Sequence, residues 1–520
     1  MKFSNPLKFA SRLKIFKLLH LSAQKKGGQR RTILLTFLCL SLILGSIVFY
    51  AQRTHTKQPD EHKSSQLPGI GLLTRSQPTA GAEQVNPARH LPTPTARPGS
   101  AQAGTGSGSS AGGYNTSLPS RPGVPALEGV DLVTNQAFGQ NNVYVPNGWG
   151  VQKNRIVRTS TGDLFTVYIQ AGSGDTNREW HLMHKAPGGG WADIQSGNAG
   201  TEEINIVLGA NDSIHLFAWP GTANKLQHIS SNDLGKSFKS EFIAGNWSND
   251  VGSPEQGYSG SGTNANGDIV FFQTGADKPG VFNWTYYSAR SGTWNSQSSM
   301  LDVRYTYAFF FPGYNNDVSI VAMRDAHRAE LGYNSSNGFD YIFNALGYFY
   351  IPDVNHPSIR KTDIVQVAPQ NDSDYDVTYL TDTYVDTQGR VHALYANQYD
   401  GPHHVIMVGG RVIKDVRINV TYPRKVRMTQ DEMGHYYIIT MDDSGNSINV
   451  YPGTAGDTDG TELLPATKLN ISSLPGCTDD DFCSEPTFTV PRNGNALSNH
   501  IDGVYGNFGQ VIHFRINLRS

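Results

Sequence analysis

The sequence predicts an all-β chain folded as a seven-bladed β-propeller, and three observations predict it. Only 17% of residues are charged, 10% are aromatic and 55 are glycine, a composition that suits many short strands and tight turns. From about residue 130 one phrase recurs seven times, a turn centred on Gly or Asp followed by an apolar strand: STGDLFTVYIQ, GANDSIHLFAW, NANGDIVFFQTG, YNNDVSIVAMRD, DTQGRVHALYAN, DEMGHYYIITMD and RNGNALSNHIDGVYG. The turn residues Gly162, Asp212, Gly267, Asp317, Gly389, Gly434 and Gly494 are 50, 55, 50, 72, 45 and 60 residues apart. Each interval holds four strands, the period of propeller blades. A ring of six blades is the alternative count, whereas a β-sandwich leaves the repeat unexplained.

The N-terminal region is of another kind. Residues 1–31 carry nine Lys/Arg and no Asp or Glu, a basic cytoplasmic tail. Thr32–Ala51 is an uncharged stretch of 20 residues, enough to cross a bilayer as a helix. The positive charge ahead of it predicts a single-pass signal anchor, N-terminus inside and the rest extracytoplasmic. A cleaved signal peptide is the rival reading. Residues 52–128 are rich in Pro, Gly, Ser and Thr, a linker unable to bury enough apolar surface to order itself. The propeller is assigned to 129–520. The net charge of −2 and the lack of a basic face in the folded part exclude nucleic acid as a partner.

Within the repeats, EWHLMHK, KLQHISS, TYYSAR, HHVIMV and QVIHFRI read as third strands. The chain ends just after the last of these, so the ring needs an outer strand from elsewhere, and Asn141–Gly148 (NNVYVPNG) is the candidate. After the third strand of the second unit comes SSNDLGKSF, with Ser231, Asp233, Gly235 and Phe238 at Asp-box spacing. Gly supplies the positive φ of the turn, Ser and Asp bond its amides, and the aromatic packs back on the sheet. Partial copies are His184–Trp191, Ser288–Trp294 and Asn334–Tyr341. Cys477 and Cys483 would close a small loop in an oxidising compartment. Asp479, Asp480 and Asp481 between them lack calcium-loop spacing, and no H-E-x-x-H or phosphate loop is present, so neither metal nor cofactor is predicted.

On the Asp box, its partial copies and the blade period, residues 130–520 resemble the sialidase-like family of Asp-box β-propellers. The resemblance implies a glycan ligand. It also implies, in active members, an arginine set for a substrate carboxylate, an Asp acid and a Tyr–Glu nucleophile pair. The family's Arg-Ile-Pro motif is met by Arg155-Ile156-Val157, with Val157 in place of the proline.

The residues themselves point to one mouth of the ring. Counting back seven and nine positions from each turn residue reaches the start of the innermost strand. Those positions hold Arg155 and Lys153, Asn205 and Glu203, Gly260 and Tyr258, Phe310 and Ala308, Asp382 and Leu380, Arg427 and Lys425, Thr487 and Glu485. Lys153, Arg155, Lys425 and Arg427 would hold an acidic sugar by charge-assisted bonds. Glu203, Asp382 and Glu485 are candidate acids or bases, and Tyr258 a nucleophile or base. The competing reading is a set of channel ion pairs that tie blades together. His403 and His404 point to opposite faces of a strand and do not share a metal. Three functions follow: a sialidase-like glycosidase, a non-catalytic carbohydrate- or protein-binding propeller, and a polysaccharide lyase using Tyr and His on an acidic sugar.

Overall fold

The computed structural model describes residues 123–137, 150–172, 174–200, 204–219, 225–247, 258–274, 280–333, 340–421, 425–442, 445–471, 486–507 and 509–520. They form seven four-stranded antiparallel sheets, the blades of an all-β propeller. Blades 1 to 7 begin with the inner strands Ile156–Arg158, Asn205–Leu208, Tyr258–Thr263, Tyr305–Pro312, Thr378–Val385, Val426–Gln430 and Thr487–Phe488. In blades 1 to 6 the chain runs outward, each strand pairing with the one before it.

The turns form where the repeat places them. Gly162, Gly267, Gly389, Gly434 and Gly494 have φ of 89°, 81°, 77°, 87° and 91°, and Asp212 has φ of 59°. In the fourth unit Asn316 takes the left-handed position, one residue before Asp317. Asn and Asp tolerate that region better than other side chains. The blades pack face to face through apolar clusters shared by neighbours. Phe165, Val167, Ile206 and Leu216 join blades 1 and 2. Phe272 of blade 3 stacks on Phe310 of blade 4 with ring centroids 4.2 Å apart. The inner strand of blade 3, YSGSGT, lacks an apolar set because it lies too close to blade 4: a Cβ on Gly262 would stand 2.1 Å from the Phe310 carbonyl oxygen.

Two strand assignments need correction. The outer strand of blade 7 is Ala126–Thr134, antiparallel to Gln510–Asn517. Asn141–Gly148 lies outside the described residues. Two register shifts, at Leu127/Gly129 and Leu132/Thr134, take ALEGVDLVT out of strict two-residue alternation and hide it among linker residues. The linker boundary at 128 accordingly moves to before residue 126. The partial box Asn334–Tyr341 does not follow a third strand; it precedes Tyr341–Ile351, the third strand of blade 4. The second strand there runs on to His327 and a short 3-10 turn, Arg328–Leu331, which accounts for the long 72-residue interval.

The basic tail, Thr32–Ala51, the linker up to residue 122 and the Cys477–Cys483 loop lie outside the described residues. Among the described residues no helix is long and apolar enough to cross a membrane.

Candidate functional site

Among the described residues, those reached by the turn count lie on the inner strands or just before them. Segment 151–155 approaches blade 3. Gln152 Nε2 donates to the Ser259 carbonyl at 3.3 Å, Lys153 Nζ lies 3.4 Å from Ser259 Oγ, and Asn154 Nδ2 donates to the Ser261 carbonyl at 2.6 Å. Lys153 and Arg155 are almost fully buried. Glu203 and Glu485 lie outside the described residues.

Asp382 sits near the ring axis. Its Oδ1 is ion-paired with Arg492 Nη1, and its Oδ2 accepts the Met428 N–H at 2.8 Å. Arg492 comes from Pro491–Asn493, the 3-10 turn that follows the two-residue inner strand of blade 7. It also donates from Nε to Asn154 Oδ1 at 3.1 Å and from Nη1 to the Thr383 carbonyl at 3.2 Å, and lies 4.8 Å over the Phe309 ring. Arg427 Nη1 donates to the Thr381 carbonyl at 2.7 Å and to the Val426 carbonyl at 2.8 Å. Blades 1, 4, 5, 6 and 7 therefore meet on one brace. Lys425 lies just before the blade 6 strand, its carbonyl accepting the Met441 N–H at 3.1 Å. Both Asp382 oxygens are engaged, which suits a cross-tie better than a proton carrier.

Tyr258 occupies a second cluster, between blades 3 and 4. Its ring lies against Tyr307 with centroids 4.5 Å apart and planes inclined by 41°. Tyr307 has φ of 46°, a conformation that bulky side chains rarely adopt, at a bulge between Thr306 and Phe309. Phe343 meets Tyr307 edge-on at 5.7 Å, and Tyr379 of blade 5 lies 6.2 Å away. Arg304 completes the cluster. It pairs with Asp325 at 3.1 Å and lies 4.7 Å over the Tyr341 ring. Burial opposes its charge, yet Asp325, Tyr258 and Tyr341 hold the guanidinium above its ordinary pKa. A Tyr, a cation and an aromatic wall thus share one site at the mouth.

The turn count missed Arg304, Tyr307, Asp325, Arg492 and Asn154. The inner strand of blade 4 has eight residues and a bulge, so its mouth end lies beyond a count of nine, which returned Phe310 and Ala308. Arg492 was hidden because RNGN reads as a turn. The signal that would have found Arg304 is its place directly before the apolar run YTYAFFFP.

The Asp box lies away from both clusters. Ser231 Oγ accepts the Gly235 N–H at 2.9 Å and donates to Asp233 Oδ1 at 2.8 Å; Asp233 Oδ1 accepts the Ser237 N–H at 2.9 Å. These bonds hold the exposed Asp233 carboxyl down at about 2. Gly235 has φ of 78°, and a Cβ there would stand 2.8 Å from Ile194 of blade 1. Phe238 packs on the core shared by blades 1 and 2.

In blades 2 and 5 histidines pair with one another across neighbouring strands. His228 Nδ1 lies 3.0 Å from Glu241, and His215 Nδ1 2.9 Å from His228 Nε2; burial lowers His215 to about 3 and keeps it neutral. His403 lies between Asp400 and Asp415, and His404 bonds His392 at 2.8 Å. Among the described residues no group of three His, Cys, Asp or Glu side chains is placed to hold a metal ion.

No protein-family model matches this chain, and no curated protein is similar to it. Several solved structures are weakly similar. Polysaccharide lyase Uly1 is 12% identical over 76% of this chain and 100% of its own, with a TM-score of 0.45. An ulvan lyase from a polysaccharide lyase family is 11% identical over 75% and 96%, with a TM-score of 0.47. A virginiamycin B lyase from Staphylococcus aureus is 11% identical over 75% and 100%, with a TM-score of 0.41. The blade count rests on this chain's own strand pairing.

Proposed function

We propose that the propeller recognises acidic polysaccharide at the mouth between blades 1, 3 and 4, and that Tyr258 is the base of an eliminative cleavage there. The observation that supports this reading most is the pairing of Tyr258 with the Arg304 charge, beside the Tyr307–Phe343 wall. A uronate carboxylate placed near Arg304 and Lys153 is neutralised, which acidifies the adjacent C5–H. Tyr258, as phenolate, takes that proton. The C4–O bond breaks, a C4=C5 double bond forms, and the Tyr258 phenol returns the proton it took from C5 to the departing oxygen. One Tyr and one cation suffice for this sequence, whereas a glycosidase needs a second free acid or base. Asp382 is tied to Arg492 and the Met428 amide, and a glycosidase would draw on Glu203 or Glu485 instead.

A second reading, binding without cleavage, is favoured by the burial of Lys153, Arg155 and Arg427 and by the engagement of Asp382. Mixing the full chain with uronate-containing polysaccharides separates the two. Cleavage produces the ultraviolet absorbance of the unsaturated uronate, and Tyr258→Phe removes it while leaving binding in place. Binding without absorbance supports the second reading, and neither result contradicts both. We also propose that Thr32–Ala51 anchors the protein with the propeller outside, which protease digestion of intact cells tests.

A further inference from the structure

The ring is closed by Ala126–Thr134, a strand paired on one edge only. Its hold depends on side chains as well as the ladder, and Asp131 is the centre of them. Asp131 Oδ1 accepts from Trp191 Nε1 at 3.0 Å, and Oδ2 is paired with Lys185, both from blade 1. His513, on the adjoining strand, places Nδ1 2.9 Å from Asp131 Oδ1 and Nε2 2.9 Å from Asp502 Oδ1. Asp502 is itself held by Arg515 Nε at 2.7 Å and by Arg158 Nη1 of blade 1 at 2.8 Å. Glu128 of the closing strand meets His500 and Asn517, each at 3.2 Å. The charged groups packed around His513 are thus Asp131 on the closing strand, Asp502 on His500–Asn507, Arg515 on its own strand, and Arg158 and Lys185 from blade 1, with the Glu128–His500 pair farther along the seam at Asn517.

A neutral imidazole has one N–H and one lone pair. Between two carboxylates it donates to one and turns its lone pair toward the other. Only the imidazolium donates to both. We propose that the closing strand is a proton-operated latch, in which protonated His513 bridges Asp131 to Asp502 and loss of that proton loosens Ala126–Thr134 from the ring.

The electrostatics agree in sign. Burial disfavours the charge, but the bonds to Asp131 and Asp502 raise His513 above its ordinary 6.5. A raised folded pKa contributes stability that is fully present below 6.5 and is lost as pH rises through the folded value. The latch therefore opens on the alkaline side. The three cations keep both carboxylates ionised there, so the closing strand retains its blade 1 contacts and loosens without departing.

Hydrogen exchange on the full chain tests the latch, corrected for the intrinsic pH dependence of exchange. Amide protection across 126–134, relative to blade 4, is expected to fall as pH rises through the His513 titration. In His513→Gln, which donates to one carboxylate at any pH, that pH-dependent fall disappears while blade 4 is unchanged. If His513→Gln does not fold, Asp131→Asn carries the same expectation, since it removes the closing strand's half of the bridge. An equal fall in native chain and variant overturns the latch. So does a His513 side chain that titrates at or below 6.5 by NMR.

Discussion

Two of the Arg–Asp pairs among the described residues, each with both side chains buried, differ in what surrounds them. Arg492–Asp382, at the axis, is tied to polar groups of neighbouring blades, the Met428 N–H, the Thr383 carbonyl and the Asn154 side chain, with the Phe309 ring 4.8 Å from the guanidinium. Arg304–Asp325, at the mouth between blades 3 and 4, is enclosed by aromatic side chains, Tyr341 over the guanidinium and Tyr258 within reach of its charge. The first spends its hydrogen bonds on main-chain groups and the Asn154 side chain. The second faces phenols, which have protons to exchange. At equal burial the difference lies in the partners, amide and carbonyl groups at the axis and phenols at the mouth.

The largest expected effect separates them by stability. Asp382→Ala strands Arg492 in the channel, and breaking a buried pair of this kind costs about 3–5 kcal/mol. Denaturant unfolding checks it; a change below about 1 kcal/mol removes the brace from the account. Tyr258→Phe is the converse. It keeps the ring against Tyr307, changes stability by less than about 1.5 kcal/mol, and lowers cleavage by ~10²–10⁴-fold. A variant that cleaves as well as the native chain shifts the chemistry elsewhere.

The contrast between pairs also shows why the sequence revealed the fold more fully than the site. Turn residues announce themselves because a left-handed conformation needs Gly, Asn or Asp, so seven phrases located seven blades. Counting from those turns reached Lys153 and Arg155 just before the blade 1 strand, Tyr258 at the start of its strand, and Asp382 and Arg427 within theirs. It failed where strand length varied. The eight residues and bulge of blade 4 carried Arg304 and Tyr307 past the count, and the two-residue strand of blade 7 left Arg492 in what reads as a loop. The closing strand was lost for a related reason, since its two register shifts erase the alternation that marks a strand.

Acid sharpens the comparison at the ring's seam. Asp502 is penalised by burial but is lowered to about 2 by His513, Arg515 and Arg158. A lowered carboxyl contributes stability above its unfolded value of 3.8, lost as pH falls toward 2. Thermal unfolding should weaken across that window, and Asp502→Asn should flatten the dependence; an unchanged profile argues against the seam network. The smallest effect belongs to the Asp box. Gly235→Ala, at φ of 78° and against Ile194, is expected to cost about 1 kcal/mol or somewhat more in urea unfolding while leaving glycan binding unaltered. Altered binding would bring the box into the site.

The central claim is that the mouth at Tyr258 and Arg304, and not the axial brace, meets the ligand. A hydrogen-exchange footprint of the full chain with a uronate polysaccharide tests it most directly. Protection is predicted at 258–261, 304–307 and 323–325, with 231–238 unchanged. Protection confined to other blades, with these three segments unaffected, contradicts the claim.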